Sequence, residues 1–111
     1  MQIPLQISLR GLSHSEVLDD AIRQEAHKLE HYYPHITSCR VVLELAARRH
    51  RKGKQFSARI DLKVPGGELA VTHEHDEDAH AAVRDAFDAA KRRLEDYARV
   101  QRGDVKQHAP R

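Results

Sequence analysis

Four segments of this chain alternate apolar and polar residues, and two others repeat apolar residues every three or four positions. A fold must bury both kinds of face at once. Residues 3–9 set Ile3, Leu5, Ile7 and Leu9 against Pro4, Gln6 and Ser8. Residues 37–46 set Cys39, Val41, Leu43 and Leu45 against Ser38, Arg40, Val42 and Glu44. Residues 56–64 put Phe56, Ala58, Ile60, Leu62 and Val64 inward, with Ser57, Arg59, Asp61 and Lys63 outward. After the turn signal Pro65-Gly66-Gly67, residues 68–73 turn Leu69 and Val71 inward. Each reads as a half-buried strand. Pro4 has no N–H to give a ladder, which places the first strand at a sheet edge or a strand start.

The helical stripes are Leu18, Ile22, Ala26, Leu29 and Tyr33, widened by Val17, Ala21 and Tyr32, and then Ala79, Val83, Ala86, Phe87, Ala90, Leu94 and Tyr97. Ser13 or Ser15 can cap the first helix, Ser13 with Glu16 matching a capping box, and Pro34 ends it. The acidic stretch His73-Glu74-His75-Asp76-Glu77-Asp78 is expected to open the second helix with its carboxylates at the positive dipole end, and Gly103 to close it. The order strand, helix, three strands, helix predicts an α+β fold. Its form is a two-layer sandwich, β-α-β-β-β-α, with a four-stranded sheet and two helices on one face. At 111 residues the chain holds one domain, expected over 1–102, with 103–111 a flexible basic tail.

Composition narrows the function classes. One cysteine, Cys39, excludes an internal disulfide framework and a cysteine-based zinc knuckle. It falls on the inward side of its strand with no partner placed to lower its pKa, and reads as a structural thiol. No signal-peptide pattern and no run of about 18 apolar residues is present, so the expected location is cytoplasmic, without membrane contact. No phosphate loop, nucleophile elbow or paired-carboxylate motif appears, which leaves no case for catalysis, a cofactor or a small-molecule substrate. The five aromatics fall mostly on apolar stripes and read as core, which favours backbone-directed contact with RNA over base stacking.

The net charge of +2 hides an uneven distribution. Arg48, Arg49, Arg51, Lys52 and Lys54 crowd one turn without an acid, and Lys91, Arg92, Arg93, Arg99 and Arg102 crowd the second helix. Such regions suit a polyanion, most often nucleic acid. On the helix a solvated, self-paired face competes with that reading, because Arg84–Asp88, Asp88–Arg92, Lys91–Glu95 and Arg92–Asp96 all stand at i,i+4. The histidines at 73, 75 and 80 among carboxylates have the right ligand types for a divalent ion but match no known spacing. They read as incidental to an acidic helix start, and His27, His31 and His35 as complements to a helix C-terminus.

The ordered set of segments resembles the ribosome hibernation-promoting factor family, also called ribosome-associated inhibitor, protein Y or sigma-54 modulation protein. The carrying segments are Ser15 to Tyr33, Val41-Val42-Leu43, Val64 to Val71 and Asp76 to Tyr97. Within them stand Lys28-Leu29-Glu30 followed by Tyr32, a glycine turn before a short strand, and a basic helix. The resemblance implies a short form that binds the small ribosomal subunit and its 16S-type rRNA in the channel for mRNA and tRNA, silencing translation under stress. Lys28 and Arg92 carry over as rRNA-binding positions; Arg84, Lys91, Arg93, Arg99 and Arg102 join them on charge. The family is usually basic where Glu25 stands, often lysine at Ala89, and aromatic near His80. A generic double-stranded RNA-binding module and a metal-responsive, histidine-rich protein are the other readings. Oligomeric state is left open.

Overall fold

A computed structural model describes residues 4–47, 54–75 and 78–102. The elements are β1 (Leu5–Arg10), α1 (Glu16–Tyr32), β2 (Ser38–Ala47), β3 (Lys54–Val64), β4 (Gly67–His75) and α2 (Ala79–Arg102). The sheet order is β1-β2-β3-β4. β1 lies parallel to β2, with Leu5 opposite Cys39, so the chain must cross over between them, and α1 is that crossover. The rest is an antiparallel meander, with Val41 opposite Ile60 and Ile60 opposite Val71. The α+β order expected from the alternation is the order observed.

The core lies between the sheet and both helices. Leu18, Ile22, Ala26 and Leu29 of α1 meet Cys39, Val41 and Leu43 of β2 and Ala58, Ile60, Leu62 and Val64 of β3. From α2 come Ala82, Val83, Ala86, Phe87, Ala90 and Leu94, and no buried polar side chain occurs among the described residues. The alanines on α2 let its backbone approach the sheet and α1 closely, while Phe87 and Leu94 fill the space between.

The outer face of the sheet is open and balanced in charge. The strand register sets Arg10 opposite Glu44, Arg40 opposite Asp61 and Lys63 opposite Glu68. Such opposite-sign cross-strand neighbours favour the observed register. Arg59 also reaches Asp61 along its own strand at 3.1 Å.

Three local expectations need correction. Ser15, not Ser13, caps α1: its Oγ accepts from the Leu18 N–H at 3.2 Å, so the Ser13–Glu16 capping box is not formed. The acidic stretch opens α2 only through its last residue, Asp78, while its first three residues belong to β4. β4 runs on to His75 because β3 is long enough to keep pairing with it, Ser57 with Glu74 and Phe56 with His75. α2 starts at Ala79, and Asp78 Oδ1 accepts from the His80 and Ala81 N–H groups at 2.8 and 3.3 Å. Val17, assigned to the apolar stripe, is 70% exposed, because the sheet beneath α1 is already filled by Leu18 and Ile22. Gly103 and the tail lie outside the described residues.

Candidate nucleic-acid interface

β1 and β2 run the same way and each helix follows a strand of that direction, so α1 and α2 lie side by side and parallel. Their outer surfaces meet in a groove lined by Glu25, Lys28, Leu29 and Tyr32 from α1 and Arg84, Phe87, Asp88 and Lys91 from α2. A second hollow adjoins it, lined by Tyr32, Arg92, Glu95, Asp96, Ala98 and Arg99. Lys28, Arg84, Lys91, Arg92 and Arg99 therefore gather around one residue, Tyr32.

Arg93 does not join them. It turns to the other side of α2, where its Nη1 donates to the Ala70 carbonyl of β4 at 3.2 Å. That contact occupies a ladder carbonyl on the free edge of the sheet, a protective role for an edge strand. Arg48, Arg49, Arg51 and Lys52 lie outside the described residues, as does the side chain of Lys54. The strand ends that flank this turn, Ala47 and Lys54, stand at the end of the sheet where both helices begin. Lys91 and Arg99 stand toward the other end, where the Tyr97 hydroxyl donates to the Pro65 carbonyl. Of Arg102 only the helical backbone is described.

The cluster's cations are held to different degrees. Lys28 Nζ lies 3.4 Å from Glu25 Oε2, so the residue that departs from the family's usual basic character also engages its neighbouring lysine. Arg84 Nε is 3.8 Å from Asp85, and Arg99 pairs with Asp96. Lys91 Nζ sits 4.7 Å from the centre of the Tyr32 ring. Among the described residues no acid lies within ion-pair distance of Arg92. None of the four i,i+4 pairs expected on α2 forms. Asp96 pairs with the nearer Arg99, one turn later, and Lys91 is drawn to the ring instead of Glu95. The self-paired face is thus only partly realised. These pairs are exposed and weak, each worth at most about 1 kcal/mol, so a phosphate can compete for them.

Sequence reasoning missed Tyr32. The helical spacing groups it with the core, yet it is 43% exposed, because Tyr33 and not Tyr32 continues the Leu29 stripe toward the sheet. The available signal was the i,i+4 spacing from Lys28, which places the ring on the lysine's face. The other candidates resolve simply. Cys39 is buried, and that burial, with the Asp61 charge adding to it, pushes its thiol up to about 12, where it stays protonated and unreactive. Among the described residues no three His, Cys, Asp or Glu side chains converge as a metal site. His73 Nε2 instead lies 3.3 Å from Asp85 of α2, and the His35 ring sits edge-on to Tyr33.

A two-layer β-α-β-β-β-α domain with cations lining the hollows between its two parallel helices belongs to a class defined by more than its architecture. Residues 5–102 match the family model described as "Sigma 54 modulation protein / S30EA ribosomal protein", and the chain belongs to that family. It is 31% identical over 94 residues to a ribosome hibernation promotion factor from Deinococcus radiodurans, covering 85% of this chain but 48% of the relative. The chain thus spans about half the length of that curated protein. Among solved structures it resembles the N-terminal domain of Protein Y from Thermus thermophilus. The TM-score is 0.70 and the identity 28%, over 87% of this chain and 99% of that one. A ribosomal subunit interface protein from Coxiella burnetii shares the fold, with TM-score 0.73 at 16% identity over 86% and 98% of the two chains. Among the described residues no helix is long and apolar enough to cross a membrane.

Proposed function

We propose that this chain is a ribosome hibernation factor that acts without catalysis. It binds rRNA of the small subunit and silences translation by occupying the space through which mRNA and tRNA pass. The observation that carries this reading is the gathering of Lys28, Arg84, Lys91, Arg92 and Arg99 about the α1–α2 groove in a chain of the S30EA family. The opposite face of the sheet is matched cation to acid across its strands, whereas Arg92 on the helical side has no acid within ion-pair distance among the described residues. Binding there exchanges counterions on the phosphates for fixed ammonium and guanidinium groups, so affinity falls steeply with salt. A rigid two-layer scaffold suits the task, because occlusion needs only a bulky body held in place.

The test is sedimentation of the protein with ribosomes on sucrose gradients at low and moderate salt, beside a Lys28→Glu/Arg92→Glu double variant. Co-migration with the small subunit or the whole ribosome, weakened by salt and lost in the variant, is the expected result. Protein that stays at the top of the gradient at both salts refutes it. Equal binding to free duplex RNA would point instead to a general double-stranded RNA module.

A further inference from the structure

Tyr32 is the last residue of α1, where the chain turns away toward β2. Tyr33, Phe56, Phe87 and Tyr97 all pack on or into the core, so each has a structural reason for its ring. Tyr32, 43% accessible, is the one exposed tyrosine or phenylalanine among the described residues, and it is the shared wall of two hollows, of ≈340 and ≈380 Å³. Cations stand on both sides of it: Lys91 over the ring in one direction, Arg92 and Arg99 across the second hollow in the other. A flat apolar surface between phosphate-binding groups is the arrangement by which proteins hold an unpaired nucleotide, because every base has a stackable face and every nucleotide brings a phosphate on each side.

We infer that Tyr32 is the stacking platform for one unpaired RNA nucleotide, with Lys91 and Arg92 taking the phosphates that flank it. The inference deepens the rRNA-binding reading above and rests on it. Magnitudes favour the exchange at the ring. An exposed cation–π contact is worth about a 2- to 5-fold effect on an equilibrium, whereas a base stacked on an aromatic ring strengthens binding about 5- to 150-fold. An arriving base therefore displaces the Lys91 ammonium, which moves to the neighbouring phosphate. The seated base covers the ring, and the displaced cation loses nothing, since it passes from a π-face to a full negative charge.

Two oligoribonucleotide probes test this independently of the ribosome: hexaadenylate, and the same hexamer carrying abasic sugars throughout. Both carry the same phosphates, and fluorescence anisotropy at low salt reads their affinities for the full chain. Hexaadenylate is expected to bind at least about 5-fold tighter. Tyr32→Leu is expected to abolish that preference while keeping the salt slope, and Tyr32→Phe to preserve it. Arg92→Gln is expected to flatten the salt slope and keep the preference. Equal or undetectable binding of the two probes, or a Tyr32→Leu protein with the wild-type preference, overturns the inference. Co-sedimentation of Tyr32→Leu with ribosomes separates the outcomes: full binding beside a lost base preference leaves the hibernation reading standing. Absence of ribosome binding by the wild type counts against that reading alone.

Discussion

The sheet should lose strength in alkali through one side chain, the Cys39 thiol. It lies on β2 at 3% exposure, and its pKa is pushed from 9.0 to about 12, first by burial and then by the charge of Asp61. In the unfolded chain the thiol ionises near its ordinary value. Below pH about 9 both states keep the proton and the group contributes nothing that varies with pH. Between about 9 and 12 the unfolded chain gives up its proton while the folded chain retains it, so the unfolded state gains and stability falls. One group so placed gives a slope of about 1.4 kcal/mol per pH unit, and three units amount to roughly 4 kcal/mol. That is a large share of the 5–15 kcal/mol typical of a domain. Urea unfolding of the wild type and Cys39→Ala at pH 8, 9, 10 and 10.5 isolates the effect, because tyrosines and lysines titrate alike in both. The stability advantage of the wild type should shrink by about 1.4 kcal/mol per unit above pH 9. An advantage constant from pH 8 to 10.5 would refute the placement of the thiol in an apolar, desolvated site.

Three further outcomes can be measured. Gly11→Ala should cost roughly 2 kcal/mol or more in urea unfolding, since Gly11 has φ +75° and a Cβ there would run into the Leu45 carbonyl oxygen. Leu94→Ala should cost about 2–5 kcal/mol, because Leu94 is fully buried between α2 and the sheet and its removal leaves a cavity. Glu25→Gln should change stability by less than about 0.5 kcal/mol, the pair being exposed, yet raise low-salt ribosome affinity by up to about fivefold. That ceiling is the ~1 kcal/mol interaction of two charges 4 Å apart in water, no longer set against Lys28.

The fold was legible because alternation and helical spacing each report a buried face. Val41, Leu43, Ile60 and Leu62 announce the inner side of the sheet, and Leu18, Ile22, Ala26 and Leu29 the stripe above it. Boundaries were harder where a partner decides them. His75 is in a strand because Phe56 pairs with it, and nothing in the acidic stretch itself says so. The site was half legible. Lys28, Arg84, Lys91, Arg92 and Arg99 could be chosen on charge, but charge alone could not separate Arg93, whose position on α2 turns it to the β4 edge. Tyr32 was hidden because a tyrosine next to a core stripe looks like core until the sheet beneath is seen to be filled.

The one parallel pairing in the sheet also governs how the molecule assembles. β2, β3 and β4 join through short connections and can zip as successive hairpins, whereas Leu5 finds Cys39 only after α1 has formed and spanned the gap. Closing a connection of that length costs entropy before its contacts form, so β1 pairing is expected to show lower φ-values than the β2–β3 and β3–β4 hairpins. The Gly11 turn and the Ser15 cap bound the short loop between β1 and α1, and so set the angle at which that crossover leaves the sheet.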